Sequence, residues 1–271
     1  MPFVKLKNGY KMNYIEKGKG PILVFLHGFL GSTWLFETQV DYFSQKGYRA
    51  IALDHLGHGQ SDKPESEAYE LQDLTRYLDE ALAQIAGKEK IVLIGHSMGG
   101  MIAQLYATTP DYLKRLRGLV LMSTAPKLRN PGLDKYIEDL NSGALSLKEE
   151  NSIRNIMVDL CFQRPYKKAR PEIIEEFIRL TLQNAEYVGL RTMNAIVKSY
   201  DVESKIKAIK VPTLILTGDK DIFIPPQESE KMQQLIPASK LVKFAPKIGH
   251  MIQYEALNDY HKALEDFFKT L

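Results

Sequence analysis

The stretch Ile91-Val92-Leu93-Ile94-Gly95-His96-Ser97-Met98-Gly99-Gly100-Met101-Ile102 changes periodicity half-way along. Its first four residues are apolar throughout, as in a parallel strand buried on both faces. Beyond Ser97, the residues Met101, Ile102, Leu105 and Tyr106 recur at helical spacing until Pro110. A serine at such a strand-to-helix junction sits on a sharp, strained turn. Small residues two positions to either side, here Gly95 and Gly99, keep neighbouring chains from clashing. The helix that follows aims its N-terminus at whatever forms on the Ser97 hydroxyl and favours negative charge there.

Working outward, Ile22 to Leu26, Tyr48 to Leu53, Leu119 to Met122 and Thr213 to Leu216 repeat the strand signal. Helical stripes separate them, for example Leu71, Leu74, Leu78, Leu82 and Ile85. Strand, helix and strand in alternation predict βαβ units and a mostly parallel sheet with helices on both faces, an α/β fold. Val4 to Leu6 and Met12 to Ile15 flank Asn8-Gly9, which predicts an antiparallel hairpin ahead of that sheet. The rhythm stops after Ala125-Pro126. Two helical stripes follow, Ile153-Ile156-Met157-Leu160 and Ile173-Ile174-Phe177-Ile178-Leu182, before strand character returns at Val211-Pro212-Thr213. The expected division is a core of residues 1–124 and 205–271 interrupted by a helical insertion, 125–204.

Composition narrows the function. The 271 residues are 44% hydrophobic and 25% charged, ordinary values for a globular protein with a sizeable core. A formal charge of +3 without blocks of like charge argues against nucleic acid as partner. Arg164, Lys167, Lys168 and Arg170 lie among prolines and read as a solvated loop. Cys161 is the one cysteine, which excludes a disulfide framework and reads as a buried structural thiol. No leader segment and no long apolar run is apparent, so the expectation is a cytoplasmic protein without a membrane partner.

A serine hydroxyl needs a base to take its proton and a third group to orient that base. Six histidines compete for the first role. His96 is pinned in the serine's own turn. His55 and His58 belong to a turn-rich loop and lack partners at metal-ligand spacing. His27 precedes Gly28 at a strand end, where it shapes a loop, and His261 falls in a C-terminal helical pattern, expected exposed. That leaves His250, on the loop Lys247-Ile248-Gly249-His250. For the acid, Asp219 and Asp221 follow the strand Thr213 to Leu216, and open α/β sheets place their sites at such carboxyl ends. Asp221, two residues further into the loop, is the better partner. The order Ser97, Asp221, His250 is one of the known triad orders.

Taken together, His27-Gly28-Phe29, Asp54-x-x-Gly57-x-Gly59-x-Ser61, Gly95-x-Ser97-x-Gly99-Gly100, Val211-Pro212-Thr213…Gly218-Asp219-Lys220-Asp221 and Gly249-His250 resemble the α/β-hydrolase fold superfamily. These five ordered motifs span the chain. The look is nearest to small carboxylesterases and cofactor-free haloperoxidase-like serine hydrolases with a helical cap. The resemblance implies an eight-stranded, mostly parallel α/β-hydrolase sheet, with Ser97 as nucleophile, His250 as base and Asp221 as orienting acid. It implies an oxyanion hole made by the backbone N–H groups of Phe29 and Met98, and a cap formed by the insertion. It implies no metal and no organic cofactor. Dehalogenases and epoxide hydrolases of this fold attack with a carboxylate, which Ser97 does not supply. The expected function is carboxylesterase action on a small-molecule ester of short to medium acyl chain. Carbon–carbon bond hydrolysis, with Arg191 or Lys198 holding a substrate carboxylate, acyl transfer and a non-catalytic receptor role are the alternatives. Expected liners of the substrate pocket are Trp34, Met122, Phe223, Ile224 and Met251, together with Phe29 and Met98.

Overall fold

A computed structural model describes residues 2–128, 134–153 and 157–271. Its strands are β1 (Phe3–Lys5), β2 (Lys11–Lys17), β3 (Ile22–Leu26), β4 (Arg49–Leu53), β5 (Ile91–His96), β6 (Leu116–Met122), β7 (Thr213–Gly218) and β8 (Ser239–Phe244). They form one eight-stranded sheet in the order β1-β2-β4-β3-β5-β6-β7-β8. The pairs β1–β2 and β2–β4 are antiparallel, and every other neighbouring pair is parallel. The hairpin expected around Asn8-Gly9 is the antiparallel end of the sheet, with Gly9 at φ 94° in the turn. Every residue of β3, β5 and β7 is buried, because helices cover both faces of these strands.

Among the described residues four α-helices precede β6: α1 (Glu37–Gln45), α2 (Leu71–Ile85), α3 (Met98–Thr108) and α4 (Pro110–Leu113). The α2 stripe Leu71, Leu74, Leu78 and Leu82 is fully buried. In α3 every residue from Met98 to Ala107 is buried, as expected of a helix apolar all round. After β7 come α11 (Pro226–Leu235), then, beyond β8, α12 (Ile252–Glu255) and α13 (Leu257–Phe268). α13 lies against α1, with Phe268 edge-on to Phe43 at 5.4 Å. That packing buries His261, which the sequence reading placed at the surface. Its ring stacks on Tyr42 at 3.9 Å, and burial lowers its pKa to about 4.

Between β6 and β7 the described residues contain helices and no strand: α5 (Asp134–Ser142), α6 (Glu150–Ile153), α7 (Asp159–Cys161), α8 (Arg164–Ala169), α9 (Pro171–Thr181) and α10 (Glu186–Asn194). Of the two expected stripes, Ile174, Phe177, Ile178 and Met157 are buried; Ile156 lies outside the described residues. Of the basic cluster, Arg164, Lys167 and Lys168 are helical where a loop was expected, and Arg170 follows the helix end. Pro165 falls in the first turn of α8, where its missing N–H breaks no helical bond. No helix among the described residues is long and apolar enough to cross a membrane.

Candidate active site

Ser97 stands between the last residue of β5 and the first of α3 at φ 54°, ψ −119°. A non-glycine residue reaches this region only when its surroundings hold it there. The Ser97 N–H donates to the Met122 carbonyl at 2.9 Å, and Thr124 Oγ1 donates to the Ser97 carbonyl at 2.8 Å. Chains also approach from both sides. A Cβ on Gly95 would lie 2.3 Å from the Gly99 carbonyl oxygen, and one on Gly99 would lie 2.3 Å from that of Leu26. The glycine spacing read from the sequence is therefore a steric requirement of this turn.

The loops beyond β7 and β8 bring Asp221 and His250 together. His250 Nδ1 donates to Asp221 Oδ2 at 2.8 Å, with both side chains buried. The other carboxylate oxygen, Oδ1, accepts the N–H groups of Phe223 (3.1 Å) and Ile224 (2.9 Å), which fixes the plane of the acid. With Nδ1 engaged, Nε2 is the imidazole nitrogen left for the pocket that His250 shares with Ser97. Asp219 does different work: its Oδ1 accepts the Ile248 N–H at 2.8 Å and so holds the His250 loop.

Two backbone N–H groups, those of Met98 and Phe29, belong to segments that adjoin Ser97. Met98 opens α3, so its N–H has no intrahelical acceptor. Phe29 follows Gly28, whose α-carbon faces the serine so closely that an added Cβ would lie 3.1 Å from Ser97 Cβ. Among the described residues neither N–H donates to a protein acceptor. A buried histidine cluster sets the strand end that carries Phe29. His27 Nδ1 donates to the Gly28 carbonyl at 2.8 Å, its Nε2 accepts the His55 N–H at 3.1 Å, and His55 Nε2 donates to the His27 carbonyl at 3.1 Å. Burial, with repulsion from neighbouring imidazoles, lowers the pKa of His55 to about 3 and pushes His27 well below its usual value. His96, whose Nε2 donates to the His250 carbonyl at 3.1 Å, is lowered to about 3 by burial and by His250.

A family model described as alpha/beta hydrolase fold matches residues 21–257, which includes every residue of this constellation. The chain belongs to the alpha/beta hydrolase fold family. AB hydrolase superfamily protein YisY of Bacillus subtilis (strain 168) is 29% identical over 270 residues, 98% of either chain. Lipase 1 of Psychrobacter immobilis is 30% identical over 98% of this chain and 84% of its own. Among solved structures, a thermophilic esterase from Thermogutta terrifontis (malate bound) matches with a TM-score of 0.88 at 23% identity, covering 100% of this chain and 99% of that one, a likeness of fold.

The pocket of this α/β hydrolase at Ser97 is narrow and apolar, with a cavity of about 20 Å³. Phe29, Phe223 and Met251 border it, as the sequence suggested. Trp34, Met122, Ile224 and Met98 are absent from its lining. Trp34 stacks on Tyr254 at 5.7 Å, and the Met122 sulfur accepts the Tyr260 hydroxyl at 3.4 Å. Ile224 serves instead through its backbone N–H at Asp221, as Met98 offers its own beside Ser97. The places these residues leave are taken by Leu35 from the core and by Met157, Cys161 and Phe177 from the helical segment between β6 and β7. Phe177 and Met157 carried a signal, their places in apolar stripes. Leu35 carried none. The Cys161 thiol is pushed well above its usual pKa by burial and by the Asp221 and Glu255 carboxylates, so it remains a neutral wall of the pocket. A wider groove, along β8 and α13, contains none of the residues at Ser97.

Proposed function

We propose that this hydrolase is a serine carboxylesterase acting on esters of short to medium acyl chain. The observation that carries the reading is the Asp221–His250 contact of 2.8 Å, set in the pocket that holds Ser97 on a left-handed turn. In this reading Ser97 Oγ attacks the ester carbonyl while His250 Nε2 takes its proton, and Asp221 stabilises the resulting imidazolium. The oxyanion accepts the N–H groups of Phe29 and Met98, whose direction is fixed before substrate arrives. Collapse expels the alcohol, protonated by His250, and leaves an acyl-Ser97. Water, deprotonated by His250, then attacks the acyl carbon and releases the acid. Residues 125–204 act as the cap that closes the pocket.

The absence of a charged side chain from the described lining supports an uncharged acyl group. Carbon–carbon hydrolysis of a carboxylate substrate has less support, because its two candidate cations stand elsewhere. Arg191 Nη1 donates to the carbonyls of Glu65 and, at 2.8 Å, Glu67, and Lys198 is exposed. The test is hydrolysis of p-nitrophenyl esters of two to twelve carbons by the wild type and by Ser97→Ala. Turnover in the wild type, with kcat reduced on the order of 10⁶-fold in the variant, is the expected result. Turnover that survives in Ser97→Ala removes Ser97 from its role.

A further inference from the structure

The helical segment between β6 and β7 meets the histidine loop directly and through one carboxylate. Glu255, the last residue of α12, accepts the Gln163 N–H on Oε1 at 2.9 Å and the Gly249 N–H on Oε2 at 2.8 Å. Gly249 immediately precedes His250, whose own N–H donates to the Cys161 carbonyl at 3.0 Å. Gln163 Nε2 donates to the carbonyl of Lys220, the neighbour of Asp221, at 3.1 Å. From the opposite side the end of β7 presses on the same loop, since a Cβ on Gly218 would lie 2.2 Å from the Gly249 carbonyl oxygen. Loop 248–250 is thus gripped between β7 and segment 161–163, with Glu255 as the fastening.

We propose that Glu255 is a positioning residue that seats His250 by tying its loop to the helical insertion, so that the base is aligned only while segment 161–163 is docked. The proposal rests on the reading of His250 as the base. A carboxylate suits the task because it accepts two N–H groups at once and offers no competing donor. Its location speaks for the loop rather than for the helix, because an acidic residue at a helix C-terminus opposes the helix dipole. Burial raises the Glu255 pKa, and the two N–H bonds work against that rise by holding the charged form in place.

Gln163 provides a clean test. Its φ of −73°, after Phe162 at φ −111° and ψ 136°, is a conformation that proline and the residue before proline both adopt. Gln163→Pro therefore deletes the N–H that Glu255 accepts, whereas Gln163→Ala keeps it; both lose the side-chain bond to Lys220. Two measurements are made on these variants and on Glu255→Gln. One is steady-state hydrolysis of p-nitrophenyl acetate. The other is the low-field ¹H NMR signal of the proton shared by His250 Nδ1 and Asp221. We expect Gln163→Pro and Glu255→Gln to lower kcat on the order of tenfold or more relative to Gln163→Ala, with KM little changed, as misaligned reacting groups do. The low-field signal is expected to shift or broaden in the same two variants. Equal kcat and an unaltered signal in Gln163→Pro and Gln163→Ala overturn the proposal, as does a loss confined to thermal stability. Should Glu255→Gln fail to fold, the Gln163 pair decides. A wild type inert toward the ester defeats the esterase reading alone, and the NMR signal then decides the clamp by itself.

Discussion

At Ser97 the backbone is bent into a conformation that few residues adopt, and the residues around it are chosen by contact distance. Gly99→Ala would drive a Cβ to 2.3 Å from the Leu26 carbonyl oxygen. We expect it to destabilise the fold by about 1–3 kcal/mol or more, read from urea unfolding. Asp221→Asn is expected to act on rate instead. The amide can keep an oxygen toward the N–H groups of Phe223 and Ile224, but its NH₂ then faces His250 Nδ1 and imposes the wrong tautomer. A fall in kcat on the order of 10⁴-fold with an almost unchanged melting temperature is the expected outcome, measured on p-nitrophenyl acetate. The grouping of Ser97, Asp221 and His250 was legible because each follows a strand of the parallel sheet, in a turn that contains glycine. The pocket walls were not. Near a strand end an apolar side chain faces the pocket or the core according to its rotation, so Phe223 lines the site while its neighbour Ile224 turns away. Glu255 was invisible for another reason: its partner Gln163 lies 92 residues earlier, and the bond is to backbone.

Among the elements, the helices between β6 and β7 were legible as a block and not in detail. Apolar stripes marked α9, while α8 was hidden by Pro165, a residue that breaks a helix anywhere but in its first turn. How this block meets the sheet domain left no trace in the pattern either. α10 is tied to the core by Tyr187, whose hydroxyl donates to the Lys63 carbonyl, and by Arg191 on the Glu65 and Glu67 carbonyls. Bonds from a charged donor contribute about 1.5–3 kcal/mol when well placed, and Arg191 is half-buried. Arg191→Ala is accordingly expected to speed amide hydrogen exchange across α10 while β5 and α3 keep their protection. Exchange unchanged in α10 would show that the block is held by its apolar contacts alone.

For the molecule as a whole, the buried histidines tie stability to pH. His27, His55, His58 and His96 are 0–2% exposed, and each has its pKa pushed down by burial, to about 3 for His55 and His96 and about 4 for His58. Their native state stays neutral where the unfolded chain, with imidazoles near 6.5, already binds protons. The stability they permit is thus complete above about pH 6.5 and is lost progressively below it. Each such histidine gives up on the order of 1 kcal/mol by pH 5.5. Asp54 and Glu255 oppose this, because burial raises their pKa and acid relieves them. Histidines outnumber them, so urea unfolding is expected to show a net loss of several kcal/mol between pH 7.5 and pH 5.5; a flat profile would contradict the assignment of neutral imidazoles. The mostly parallel arrangement itself was readable, since runs of Val, Ile and Leu without alternation occur where both faces are covered, while the count of eight strands rested on the family resemblance. That strand order also sets a timetable. Everything that shapes the Ser97 turn, from Leu26 to Thr124, leaves the ribosome before the helical block begins, whereas Asp221 and His250 emerge after it. A nascent chain folding from its N-terminus would carry Ser97 without His250 beside it. On the proposed reading, reactivity is therefore switched on only after the helical block has been made.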